Sequence, residues 1–266
     1  MENKMTGNAG TRHEIRIALL IDADNSPAAK IEVVLAELAK VGVVNIRRAY
    51  GNWKKAELKG WEAALHPYAI RPMQQFDYTK GKNATDMSLC IDALHLLYTE
   101  KPDAFAIVSS DSDFTPLVLH LKERGAKVFG FGASKTPSPF VDACSQFLDL
   151  DKIGQEVDAA SANEQIDTIA KPAAPTRVSP AKLRQDARLV SLLRNAVEAA
   201  KGDDGWALLS LVRNHISNQA SFDPRNYGYA TFSKLVSATE LFEMAGEGTP
   251  RVSVRDARKE KAEKSS

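Results

Sequence analysis

The chain has 266 residues, 44% of them hydrophobic, enough for one large or two modest domains with unstapled cores. Lys and Arg number 35 against 34 Asp and Glu, a formal net charge of +1. That balance excludes global steering toward polyanions, so any nucleic-acid contact must come from a local patch.

Residues 15–21 are an apolar, partly β-branched run that ends at Asp22, Ala23, Asp24 and Asn25, followed by Ser26 and Pro27. This pattern predicts a buried strand, a polar loop and a helix opened by proline. Ile31, Val34, Leu35 and Leu38 recur at helical spacing, with Gly42 as a stop. A second strand is expected over residues 43–50, a short helix over 61–65 and a third strand over 68–71. Asp86 opens an amphipathic helix over 87–98. Residues 104–108 form a strand that runs into Ser109, Ser110, Asp111, Ser112 and Asp113. A helix over 114–124, a strand over 127–131 and a last helix over 138–147 follow. Strands alternating with helices imply a mostly parallel sheet covered on both faces, with ligands at the carboxyl ends of the strands.

The composition changes after Asp151. Residues 155–182 are rich in Ala, Pro, Ser and Thr, and 151–182 are read as a flexible linker. From 183 to 246, helices are expected at Leu189 to Val197, Trp206 to Ile216 and Thr231 to Ser237, with a strand near 241–244. That set suits a small winged-helix-like domain. Residues 247–266 are charged and are read as a disordered tail. No run reaches the ~18 apolar residues of a membrane span. Residues 1–14 lack the apolar centre of a signal peptide. The two cysteines, Cys90 and Cys144, suit a reducing compartment. A cytoplasmic protein without membrane contact is expected.

Asp22, Asp86, Asp111 and Asp113 end strands or open helices, with Asp24 beside the first. Carboxylates gathered in one cleft repel each other unless a cation neutralises them. A hard ion such as Mg²⁺ or Mn²⁺ prefers such oxygens and assists phosphodiester hydrolysis. Helix capping is the alternative reading of each acid, and of Asn25. Ser110 suits a phosphate contact or a turn.

Ile21-Asp22-Ala23-Asp24-Asn25, the segment from Lys80 to Asp86, and Ser109-Ser110-Asp111-Ser112-Asp113-Phe114 together resemble the NYN domain of the PIN-like nuclease group, over residues 15–150. The resemblance implies a three-layer α/β/α sandwich and a metal-dependent ribonuclease. It implies Asp22, Asp86, Asp111 and Asp113 as catalytic and metal-binding positions. Asn25, Ser110 and Lys82 match its neighbouring polar and basic positions. Gly205-Trp206-Ala207, then Asn226-Tyr227-Gly228-Tyr229 with Phe232, resemble the LOTUS (OST-HTH) domain, which implies a module binding RNA or a protein partner.

Arg47, Arg48, Lys54, Lys55 and Lys59 surround Tyr50 and Trp53. Phosphates need such cations, and unstacked bases need such rings. Arg48 and Lys54 are therefore expected to bind substrate, as are Tyr227 and Tyr229 in the second domain. The leading expectation is an RNA-cleaving enzyme. A non-catalytic RNA-binding adaptor and a protein-interaction scaffold are the alternatives, and self-association is left open.

Overall fold

β1 (Arg16–Asp22) is buried at every residue after Arg16. Ile17, Leu19 and Ile21 enter one core, and Ala18 and Leu20 enter another. Successive strand side chains point to opposite faces, so both faces of this strand are covered. The structure, a computed structural model, describes residues 14–76, 83–153, 177–249 and 251–258.

The N-terminal half continues through α1 (Ile31–Ala39), β2 (Val43–Gly51), α2 (Lys59–Leu65), β3 (Arg71–Gln74), α3 (Ala84–Thr99) and β4 (Ala104–Val108). It closes with α4 (Thr115–Glu123), β5 (Lys127–Gly132), α5 (Ser138–Ala143) and β6 (Gln146–Asp149). The strands pair in parallel in the order β3-β2-β1-β4-β5-β6. α1 and α2 pack on the Ile17 face, and α3, α4 and α5 on the Ala18 face. This is the expected α/β/α arrangement. The strand order reverses between β1 and β4, which opens a crevice at their carboxyl ends. Gly132 ends β5 beside that crevice. A Cβ there would stand 2.7 Å from the Ser109 carbonyl oxygen, so only glycine lets the two strand ends close up.

Two expected elements are corrected. The strand expected over 68–71 begins at Arg71, because Ala69 takes a left-handed φ of 50° that no strand accepts. The helix expected over 138–147 stops at Ala143. Cys144 turns extended, and Gln146–Asp149 add a sixth strand beside β5.

The second unit comprises α6 (Pro180–Gln185), α7 (Ala187–Ala200), β7 (Ala207–Leu208), α8 (Leu209–Gln219), α9 (Phe232–Thr239), β8 (Phe242–Ala245) and β9 (Ser253–Asp256). Its antiparallel sheet has the order β7-β9-β8. Leu189, Leu193, Val212, Leu235 and Val254 fill its core. β9 lies within the stretch read as a disordered tail, and that reading is corrected for residues 253–256. The central strand of the sheet is β9, with β7 on one side and β8 on the other. α6, with Leu183 fully buried, likewise begins inside the stretch read as linker. Residues 154–176 and 259–266 of those two readings lie outside the described residues.

The two units meet at β6, an edge strand. Asn226 Oδ1 accepts from the Asp149 amide at 3.1 Å, and Asn226 Nδ2 donates to the Phe147 carbonyl at 2.9 Å. Those two backbone groups point outward from β6, and one side-chain amide pairs with them as a neighbouring strand would. Arg225 donates to Glu37 on α1 at 2.6 Å, and Lys152 donates to the Asn226 carbonyl at 2.7 Å. Replacing Asn226 with Ala should therefore destabilise the protein by about 1–3 kcal/mol, the cost of leaving buried backbone groups unpaired. Thermal unfolding measures this, and a variant as stable as the parent would show that water replaces the amide.

Candidate functional site

Asp22 closes β1 with its side chain fully buried. The register places it beyond the Ile21–Val108 pair, so its neighbour across the crevice is Ser109. Ser109 Oγ donates to Asp22 Oδ2 at 2.8 Å and accepts from the Asp111 amide at 3.1 Å. Asn25 Nδ2 donates to both Asp22 oxygens, at 3.3 and 3.1 Å. Burial pushes the Asp22 carboxyl up to about 6. The Ser109 and Asn25 hydrogen bonds oppose this, and the negative charges of Asp86 and Asp24 add to it.

The other acids stand around that centre. Asp86 sits half-buried in the first turn of α3. Burial raises its pKa, and so do Asp111, Asp24 and Asp113. Five carboxylates thus act within one field. Asp24 accepts from Thr85 Oγ1 at 3.0 Å, and Lys55 Nζ lies 3.4 Å from it. Asp111 caps the short turn Ser112–Phe114, its Oδ1 accepting from the Asp113 amide at 2.9 Å. Asp113 is exposed, with its charge acting on Asp86. Among the described residues, no three acidic, histidine or cysteine side chains converge closely enough to clasp an ion as they stand. The donor set nonetheless suits a hard divalent cation: oxygen ligands, excess negative charge and one lysine to offset it.

An open cleft of about 510 Å³ adjoins the acids, lined by Asn25, Ser110, Asp111, Lys135 and Asp151 among others. Its floor is tied down by Ser26, whose Oγ donates to the Val108 carbonyl, and by Trp61, whose Nε1 donates to the Ser26 carbonyl.

The structure brings Asp22, Asn25, Asp86, Asp111, Asp113 and Ser110 to this crevice and moves other expected residues away. Ser110 Oγ accepts from the Ala133 amide at 2.9 Å, so it holds a loop, while the adjacent Ser109 reaches the acid. Arg48 does not face the cleft: its guanidinium binds Asp92 at 2.5 and 2.6 Å, and Tyr50 donates to the same carboxylate. The expectation that Arg48 binds substrate is corrected, because its charge is committed inside the fold. Tyr229 is corrected too, since it is buried and its Oη donates to the Val178 carbonyl at 2.8 Å. Tyr227 is half-buried against Phe222, with ring centroids 6.0 Å apart. Lys54 is exposed, its Nζ 4.9 Å from the centre of the Phe76 ring. Lys82 lies outside the described residues. Sequence reasoning missed Ser109, Thr85 and Lys135. The signal for Ser109 was its place directly after a five-residue apolar strand, one step beyond Val108.

The NYN domain model matches residues 16–151, about half of the chain, and the chain belongs to that family. The OST-HTH/LOTUS domain model matches residues 184–254. The chain is 31% identical over 147 residues to an uncharacterized protein of Methanocaldococcus jannaschii. That match covers 54% of this chain and 57% of the relative, so the chain spans little over half of the relative's length. Among solved structures, a Vibrio parahaemolyticus protein of unknown function is 21% identical with a TM-score of 0.42, covering 52% of this chain and 94% of that one. An uncharacterized Nitrosomonas europaea protein is 28% identical with a TM-score of 0.25, covering 35% and 91%.

The elevated Asp22 pKa has a stability consequence. The folded state holds this proton more tightly than the unfolded chain, whose Asp titrates near 3.8. Stability without added metal should therefore fall as pH rises from about 4 to about 6, by on the order of 3 kcal/mol. Asp22→Asn removes the buried charge, so the variant should be more stable than the parent at pH 7 by roughly 1–3 kcal/mol. Denaturant unfolding across pH decides it, and a variant that loses stability at pH 7 would contradict the account.

Proposed function

We propose that this protein is a divalent-metal-dependent ribonuclease, with the acidic crevice as its catalytic site and the second unit as an RNA-capturing module. The observation that carries the reading is the gathering of Asp22, Asp24, Asp86, Asp111 and Asp113 where the strand order reverses, with burial and the neighbouring negative charges raising the pKa values of Asp22 and Asp86. A pure binder of phosphates gains nothing from carboxylates facing a polyanion. A nuclease does gain, because those carboxylates hold the positive charge that hydrolysis needs.

Asp22, Asp86, Asp111 and Asp113 would hold Mg²⁺ or Mn²⁺, which when bound supplies positive charge to the phosphate and makes water more acidic. Ser109 and Asn25 orient Asp22 by donating to it. They fix which oxygen lone pairs remain free for the cleft. Ser110 anchors the loop after β5 that forms the cleft wall. Lys135, in the cleft lining, suits a phosphate that enters there. Two free cysteines, Cys90 and Cys144, support a reducing cytoplasmic setting. No helix of the described residues is long and apolar enough to cross a membrane.

A second reading is an RNA-binding adaptor without turnover. It is favoured by Asp111 spending one oxygen on a cap and by the absence, among the described residues, of a ready three-ligand clamp. Purified protein incubated with labelled RNA and Mn²⁺ separates the two. The nuclease reading expects cleavage that chelation abolishes and that Asp22→Asn or Asp111→Asn lowers at least a hundredfold. RNA bound tightly but uncut, or cut equally by both variants, would reject it.

A further inference from the structure

The acidic crevice repels the chain it is proposed to cut, so RNA has to be held by positive charge elsewhere. Lys122, Lys127, Lys135 and Arg213 carry no ion pair among the described residues. Lys122 Nζ contacts a neutral group, the Ala143 carbonyl, at 2.6 Å. Three of these cations lie within residues 122–135 and Arg213 comes from the second unit, yet all four line cavities that share walls.

The active-site cleft includes Ala133 and Lys135. Ala133 also lines a cavity of about 290 Å³ between the two units, with Ser221, Phe222 and Tyr227 on its far side. Ser221 and Phe222 in turn line a cavity of about 540 Å³ that holds Lys122, Lys127 and Arg213. The path runs beside the edge strand β6, whose Gln146 lines the third cavity and whose Phe147 and Asp149 line the second. In the two cavities between the units the acids are paired with cations: Asp142 with Arg188, Asp149 with Lys152, and Asp223 with Arg225. Phe222 and Tyr227 offer partly exposed rings midway. Ser221 Oγ, in the shared wall, is buried without a hydrogen-bond partner among the described residues.

We propose that this seam between the two units is a track for single-stranded RNA that leads into the acidic crevice. The proposal rests on the ribonuclease reading of that crevice. The cations hold successive phosphates, and the rings accept unpaired bases. Neither unit alone forms the track, because Lys122, Lys127 and Lys135 belong to the first and Arg213, Phe222 and Tyr227 to the second.

Binding measured in EDTA separates this proposal from cleavage. Fluorescence anisotropy of the full chain with 3-, 6- and 12-nucleotide single-stranded RNA should show affinity rising with length. In a Lys127→Ala, Arg213→Ala double variant, the 12-nucleotide RNA should bind roughly tenfold more weakly at 150 mM salt. Its log–log salt slope should shrink by about 1.4, near 0.7 per lost phosphate contact. A control pair that lines none of these cavities, Lys182→Ala with Arg251→Ala, should bind as the parent does. The proposal is overturned if the two double variants behave alike, or if affinity does not depend on length. An acidic peptide that displaces the RNA as well as unlabelled RNA does would also overturn it, in favour of a protein partner. Loss of binding in the seam variant alongside a parent that never cuts RNA would keep the track and discard the nuclease reading.

Discussion

The buried carboxylate of Asp22 is the constraint around which the rest of the crevice is arranged. A charge at that depth is costly unless neighbours compensate it. Ser109 and Asn25 offset part of the cost by donating to it, and still its pKa sits near 6. The remainder of the cost is deepened by Asp86 and Asp24, which add charge of the same sign. A fold optimised for stability alone would place an amide or an apolar residue there. A buried, crowded acid retained there fits the proposed cation site.

Topology does the gathering. Parallel strands send the ends of β1 and β4 to the same side, and the reversal of strand order leaves no crossover to fill the gap between them. α3 then presents Asp86 from its first turn toward the same opening. The opposite problem, an exposed edge at β6, is met by the second unit. Asn226 occupies the outward amide and carbonyl of β6, which both blunts a strand edge and orients the second unit against the first. The Asn-Tyr-Gly-Tyr segment thus serves as a joint: Asn226 pairs with the first unit, and Tyr229 anchors within the second.

Much of this was readable in the amino-acid sequence. Strands buried on both faces leave continuous apolar runs, so β1 and β4 were evident. An aspartate ending such a run is conspicuous, which located Asp22 and Asp111. What could not be read depends on contacts distant in the chain. β6 contains only Phe147 and Leu148 as apolar residues, too short a signal to separate from the end of a helix. β9 carries two charges in four residues and follows Gly, Thr and Pro, so it looked like tail; only pairing with β7 and β8 makes it a strand. Arg48 stood in a basic cluster, yet its partner Asp92 lies 44 residues away on α3. Ser109 and Ser110 are chemically alike, and the sheet register alone decides which reaches Asp22.

The central claim is that carboxylates from β1, α3 and the loop after β4 share one cation. A crystal grown or soaked in Mn²⁺, with data collected at a wavelength where manganese scatters anomalously, tests this most directly. The account predicts an anomalous peak in the crevice, about 2.0–2.6 Å from oxygens of Asp22 and at least one of Asp86 or Asp111. A crevice without such a peak at millimolar Mn²⁺, with Asp22 still buried between Ser109 and Asn25, would contradict it.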